Sequence, residues 1–113
     1  MKLSVIAALL LATALILHAQ QASPKMTGVE PGTAKVGDVL AVSGENLDKA
    51  SVSEIYLTDG SKDYKGVMTE QTGASIKFKV PANTPAGRYA LMVLTAGKDP
   101  KLMEQPVKVT IEP

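Results

Sequence analysis

Four oxygen-bearing side chains at the spacing of a calcium loop are the nearest approach this sequence makes to a reactive constellation. Asp59, Ser61, Asp63 and Glu70 fall at positions 1, 3, 5 and 12 of such a loop. Position 6, where the sharp turn needs glycine, is Tyr64, and Lys62 sets a positive charge among the ligands. Asp59-Gly60 is also a strong hairpin signal, and a turn accounts for the same residues. The reading is a turn, with no metal site and no cofactor. Catalytic groups are scarcer still. The chain has no cysteine and one histidine, His18, which lies in the N-terminal leader described below. That removes thiol chemistry, cysteine–zinc sites and an imidazole base for a serine nucleophile. Paired carboxylates remain an acid–base option. However, Asp38, Glu45, Asp48, Asp59, Asp63, Glu70 and Asp99 all sit at turns or strand ends, where acidic residues belong in any case. These residues argue against an enzyme.

The elements that carry them are short strands behind a leader. Met1-Lys2 is followed by an apolar run of 15 residues, Leu3 to Leu17, and then by His18-Ala19-Gln20-Gln21-Ala22. A positive start, an apolar centre and small residues at the end make a secretory signal peptide, predicted as an N-terminal signal helix. The run is shorter than the roughly 20 residues that span a bilayer. The leader is therefore assigned to 1–22, with cleavage near 19–22, and the domain to 23–113. The whole chain has 12 Lys+Arg and 11 Asp+Glu; Lys2 lies in the leader, which leaves 11 of each sign in the domain. A balanced surface without charge runs gives no reason to expect nucleic acid, or membrane after cleavage, as a partner.

Alternation sets the strands. Ser75-Ile76-Lys77-Phe78-Lys79-Val80 is the cleanest case, with Ile76, Phe78 and Val80 facing in and the lysines facing water. Pro81 ends it for want of an N–H. Strands are also predicted over Met26 to Val29, Asp38 to Ser43, Val52 to Thr58, Tyr64 to Thr69, Arg88 to Thr95 and Leu102 to Glu112. Gly28 hints at a bulge or edge. Gly44 is read as a bend that uses positive φ, and Asn46 as a left-handed turn residue. The inward set is Met26, Val29, Leu40, Val42, Leu47, Ile55, Leu57, Ile76, Phe78, Val80, Tyr89, Leu91, Val93, Val107, Val109 and Ile111. About seven strands with a turn signal between each pair predict an all-β antiparallel sandwich.

The order of motifs resembles the IPT/TIG domains, immunoglobulin-like modules of plexins, transcription factors and bacterial surface proteins. Pro24-Lys25-Met26-Thr27-Gly28-Val29-Glu30-Pro31-Gly32 and Gly37-Asp38-Val39-Leu40-Ala41-Val42-Ser43-Gly44-Glu45-Asn46-Leu47 carry the resemblance. Ser75 to Pro81 and Ala86 to Val93 follow in the family's order. It implies an immunoglobulin-like antiparallel β-sandwich with a binding or structural role and no shared active site.

In such a sandwich the third, sixth and seventh strands share a sheet, whose outer face would carry Tyr56, Ala90, Met92, Leu94, Lys108 and Thr110. This face is more apolar than the one with Lys77 and Lys79. Tyr56, Met92 and Leu94 are its candidate contacts. Tyr89 occupies the place of a tyrosine corner, a structural role. The expectation is a non-catalytic binding or scaffolding module, exported to the periplasm or the cell surface, that meets another protein or a second copy of itself. A small carbohydrate- or polymer-binding domain is the alternative. It ranks second because the chain has no Trp and few aromatic rings.

Overall fold

The computed structural model describes residues 23–113; the leader over 1–22 lies outside the described residues. Nine strands follow one another: β1 Lys25–Glu30, β2 Thr33–Ala34, β3 Val39–Glu45, β4 Val52–Thr58, β5 Asp63–Lys65, β6 Val67–Gln71, β7 Ser75–Lys79, β8 Gly87–Thr95 and β9 Leu102–Ile111. They form a four-stranded sheet in the order β1-β3-β7-β6 and a five-stranded sheet in the order β2-β9-β8-β4-β5. This is the strand order of an immunoglobulin-type sandwich, with a short strand added at each margin of the second sheet. No helix is assigned among the described residues.

Period-two alternation builds the core, because successive side chains of a strand leave on opposite faces. Every residue of the inward set is buried between the sheets, Val29 only partly. Each fully buried Leu, Ile, Val or Phe contributes roughly 1.5–3 kcal/mol before chain entropy is counted. Tyr89 makes its corner: the hydroxyl donates to the Pro85 carbonyl at 2.7 Å. Its ring meets Tyr64 edge-on, with centroids 5.8 Å apart.

Two strands escaped the alternation. β2 has only two residues, and it pairs parallel with the end of β9, Thr33 against Thr110 and Ala34 against Ile111. Two residues show no period. The single strand expected over Tyr64 to Thr69 is two strands in different sheets, β5 and β6, and Gly66 is the crossing. Its N–H donates to the Ile55 carbonyl at 2.9 Å. A Cβ there would stand 2.6 Å from the Phe78 ring, so only glycine lets the backbone pass over that ring without displacing it.

Gly44 differs from expectation. It lies within β3 and is not among the positive-φ residues. A side chain there would strike the Lys25 backbone carbonyl, so the glycine permits close approach of β1 rather than a bend. Asn46 does take the left-handed conformation, at φ 57°. Gly28 lies beside the bulge expected for it: the β1–β3 register shifts between Met26 and Gly28. β6 carries a matching bulge between Met68 and Glu70. In each case the extra residue is a threonine whose hydroxyl donates to the neighbouring strand, Thr27 to Ser43 and Thr69 to Lys77, both at 3.3 Å.

One buried polar side chain fastens the start of the domain. Gln105 of β9 accepts from the Met26 N–H at 2.8 Å and donates to the Pro24 carbonyl at 3.5 Å. An edge strand in one sheet is thereby tied to a central strand of the other.

Candidate binding face

Registers place the candidate residues on one surface. Across the outer face of the five-stranded sheet, one row holds Glu54, Leu94 and Leu102. The next holds Lys65, Tyr56, Met92 and Glu104. A third holds Asp63, Thr58, Ala90 and Lys108. Arg88, Thr110 and Thr33 close the far end. Tyr56 and Met92 are direct cross-strand neighbours, and Leu94 follows Met92 on the same side of β8. The three residues singled out from sequence are thus contiguous.

Their exposure is unequal. Met92 is 8% and Ala90 6% exposed although both face outward. Tyr56 and Leu94 are half-buried. Leu102, which the sequence reading did not place on this face, is 54% exposed and is its most open apolar side chain.

Tyr56 is held rather than free. Its hydroxyl donates to Glu54 Oε1 at 2.6 Å, and the other Glu54 oxygen is paired with the Lys65 ammonium. The Lys65 bond, and then the Tyr56 hydroxyl, hold the Glu54 carboxyl below its ordinary range. The neighbouring carboxylate, with lesser burial, pushes the Tyr56 phenol up to about 12. This ring stands at a set angle on the sheet and titrates far above neutral pH.

Beside it β9 bulges. Two residues of β8, from Ala90 to Met92, span four of β9, from Lys108 to Glu104. The two extra residues keep the alternation in phase, so Gln105 and Val107 still point inward. The widened spacing leaves an open depression of about 230 Å³ over Ala90, lined by Thr58, Asp59, Gly60, Arg88, Tyr89, Glu104 and Lys108. Four charged groups border it, two of each sign. Asp59 is engaged by its own turn: one carboxylate oxygen accepts from the Lys62 N–H at 2.7 Å, the Ser61 N–H at 2.9 Å and the Ser61 hydroxyl at 3.1 Å. Those bonds, that of Lys62 foremost, hold its carboxyl below the usual carboxylate range. Wider depressions of about 380 and 440 Å³ run beside β6, where Gln71 donates to the Leu47 and Val52 carbonyls.

The structure does not assemble the calcium-loop residues. Asp59 is capping its turn, and Glu70 stands on β6 in the other sheet, paired with Lys77 at 3.3 Å. Among the described residues no three His, Asp or Glu side chains converge as metal ligands.

Sequence reasoning missed Leu102, Glu104 and Arg88 as members of the face. Stepping back by twos from Val107 places Gln105 and Met103 inward and Glu104 and Leu102 outward. Pro106 interrupts that count in the sequence, and the even-numbered bulge is what preserves it.

No protein-family model matches the chain, and no curated protein matches it. Solved structures do. A structural genomics protein of unknown function from Bacteroides thetaiotaomicron superposes with a TM-score of 0.67 at 18% identity, over 82% of this chain and 22% of that one. An auxiliary nutrient binding protein from the same species gives 0.58 at 22% identity, over 81% and 21%. The SGBP-B protein of the mixed-linkage glucan utilization locus of Bacteroides ovatus, solved in complex with a mixed-linkage heptasaccharide, gives 0.50 at 18% identity, over 72% and 21%. The chain spans about a fifth of the length of these structures. Likeness at such identity establishes the shared sandwich fold.

Proposed function

We propose that this chain is a non-catalytic binding module, exported to the cell envelope and allied to the IPT/TIG domains, that meets a protein partner through the outer face of its five-stranded sheet. One observation carries the reading: Tyr56, Met92, Leu94 and Leu102 form a continuous apolar strip on that face, with a neutral mixture of charges on either side. Protein contacts favour such an apolar centre within a polar rim. The ring of Tyr56, already immobilised by Glu54, loses little further freedom on contact. Neighbours described as nutrient- or glucan-binding support a binding role in preference to catalysis, and the leader pattern over 1–22 supports export.

Carbohydrate is the second reading. The Bacteroides ovatus neighbour holds a heptasaccharide, and a fixed tyrosine ring is a surface on which a sugar can stack. A single ring without a second aromatic beside it ranks this reading lower.

The two are separated by immobilising the protein and offering it, side by side, an envelope extract of cells that express it and an array of glycans. A retained protein that Leu102→Glu abolishes and Lys77→Glu spares supports the first reading. Glycan binding lost in Tyr56→Ala moves the assignment to the second. Retention that Leu102→Glu leaves unchanged, or none in either arm, overturns the face as a binding surface.

A further inference from the structure

We infer that the partner which fits this face is a second copy of the chain, in an isologous face-to-face dimer. The inference rests on the proposed use of the face and specifies what covers it. Its ground is the arrangement of charge. A two-fold axis lying between two such faces, perpendicular to β8 and crossing it midway from Met92 to Ala90, exchanges the two central rows. Lys65, Tyr56, Met92 and Glu104 of one copy then lie over Asp63, Thr58, Ala90 and Lys108 of the other.

Two of the four superpositions bring opposite charges together. Glu104 meets the partner's Lys108, and Lys65 meets the partner's Asp63. Because the operation is its own inverse, both pairs occur twice. Asp63, Glu104 and Lys108 take part in no salt bridge within the described domain, whereas Lys65 already pairs with Glu54, so Glu104 and Lys108 make the pair whose charges are both available. Met92, 8% exposed, lies over the partner's Ala90, 6% exposed, and this pair adds little contact of its own. In the flanking rows Leu94 meets the stem of the partner's Arg88, whose methylenes cover apolar surface while the guanidinium stays in water.

The same operation on the other sheet gives the opposite result. Lys77 and Lys79 stand two residues apart, at the middle and the end of β7, so an axis between them sets Lys79 over Lys77 of the second copy. Like charges meet at the centre.

Association through the margins is closed off as well. The edge strands of the four-stranded sheet, β1 and β6, each carry a bulge. Those of the five-stranded sheet have two and three residues. Bulged and very short edges resist strand addition. The face is what remains for a second copy.

Size sets the strength. Four strands at about 4.8 Å and seven residues of β8 at about 3.4 Å give roughly 450 Å² of projected sheet per copy. That is the low end of specific interfaces, where complexes are weak and transient. The dimer is therefore concentration-dependent and, because its charge pairs are exposed, sensitive to salt.

Sedimentation equilibrium of the protein purified from cells expressing the full chain, at concentrations up to about 1 mM, reads this directly. Wild type associates to a dimer that weakens as salt is raised. Glu104→Lys or Lys108→Glu alone raises the dissociation constant about tenfold, since each reversal makes two repulsive contacts per dimer. The double variant Glu104→Lys, Lys108→Glu exchanges the signs and restores association. Melting curves of all three match wild type. A monomer at every concentration, a dimer untouched by the single reversals, or a double variant as weak as the singles overturns the self-pairing. None of these results touches the extract and array experiment, in which Leu102→Glu decides whether the face binds anything at all.

Discussion

The two outer faces of this sandwich stand on one core and are built by the same alternation, yet they offer different surfaces. On the four-stranded side the exposed valines, Val39 and Val67, are split by Lys79, which pairs with both across the sheet. The next row places Lys77 between Ala41 and Glu70. On the five-stranded side the charges lie to either side and the centre is Tyr56, Met92, Ala90 and Leu94. A lysine in the middle of a sheet carries its hydration with it, and keeps a flat surface wet. A tyrosine braced by a glutamate and a lysine does the reverse, since its polar atom is satisfied within the sheet and the ring is left to contact. The fold thus makes two faces available, and a few outward positions decide which of them is usable.

That contrast can be broken from the four-stranded side first. Gly44→Ala sets a methyl group against the Lys25 carbonyl, and the obstacle is backbone that cannot rotate away. A loss of about 3 kcal/mol is expected in denaturant unfolding, in the range of core and backbone lesions. It should be accompanied by faster amide exchange over β1. An unchanged midpoint would show that β1 tolerates separation from β3.

Next in size is the link between the sheets. Gln105→Ala leaves the buried Met26 N–H without its acceptor, at a cost of about 1–3 kcal/mol. Gln105→Glu keeps an acceptor for that N–H but loses the donor to Pro24, so the two variants separate the two bonds.

A smaller and more specific effect belongs to the five-stranded face alone. The Tyr56 phenol is raised to about 12 by Glu54, so the folded state holds its proton where the unfolded chain has released it. Stability from this group is complete below the unfolded value of about 10. It is lost as pH rises from there through the folded value. Glu54 acts in the opposite sense. Its carboxyl is lowered on folding, so its contribution is present above the unfolded carboxylate range and is lost as pH falls through the folded value. Spectrophotometric titration of wild type against Glu54→Gln should move one phenol back toward 10. Identical curves would mean that Glu54 does not brace the ring.

Smallest of all is the effect of charge on the wet face. Lys77→Glu loses its pair with Glu70, and both groups are exposed. Stability should change by no more than about 0.5 kcal/mol, with no change in association. A large change in either would remove the distinction between the faces.

How far the sequence reaches follows from what alternation can report. It reports direction, in or out, and the inward set from Met26 to Ile111 falls in the observed core, Val29 at its margin, while Ala34 and Val52 of that core were not in the set. Tyr89 and Asn46 were legible because each has a local cause, a corner bond and a left-handed turn. β2 was not, since two residues have no period. The crossing at Gly66 was not, because the reason for glycine there is the Phe78 ring, twelve residues further along. Gly44 was recognised as special for the wrong reason, since a close approach between strands and a positive φ select the same residue. The face itself was half legible. Tyr56, Met92 and Leu94 could be assigned to one side of one sheet, but their cross-strand partners depend on register, and the β9 bulge that sets Glu104 beside Met92 leaves only Pro106 as its trace. That Met92 is buried although it faces outward is a property of packing which no pattern of residue types records.

Lysine labelling in place tests the central claim most directly. Lys108 lies on the face assigned to binding and Lys77 on the face assigned to water, and both are exposed in the isolated domain. Cells expressing the protein and a dilute purified sample are treated with the same amine reagent, and the modification of each lysine is quantified by mass spectrometry. The account predicts that Lys108 is protected in the envelope relative to the dilute protein while Lys77 reacts equally in both. Equal labelling of Lys108 in the two samples, or protection of Lys77 in its place, would contradict it.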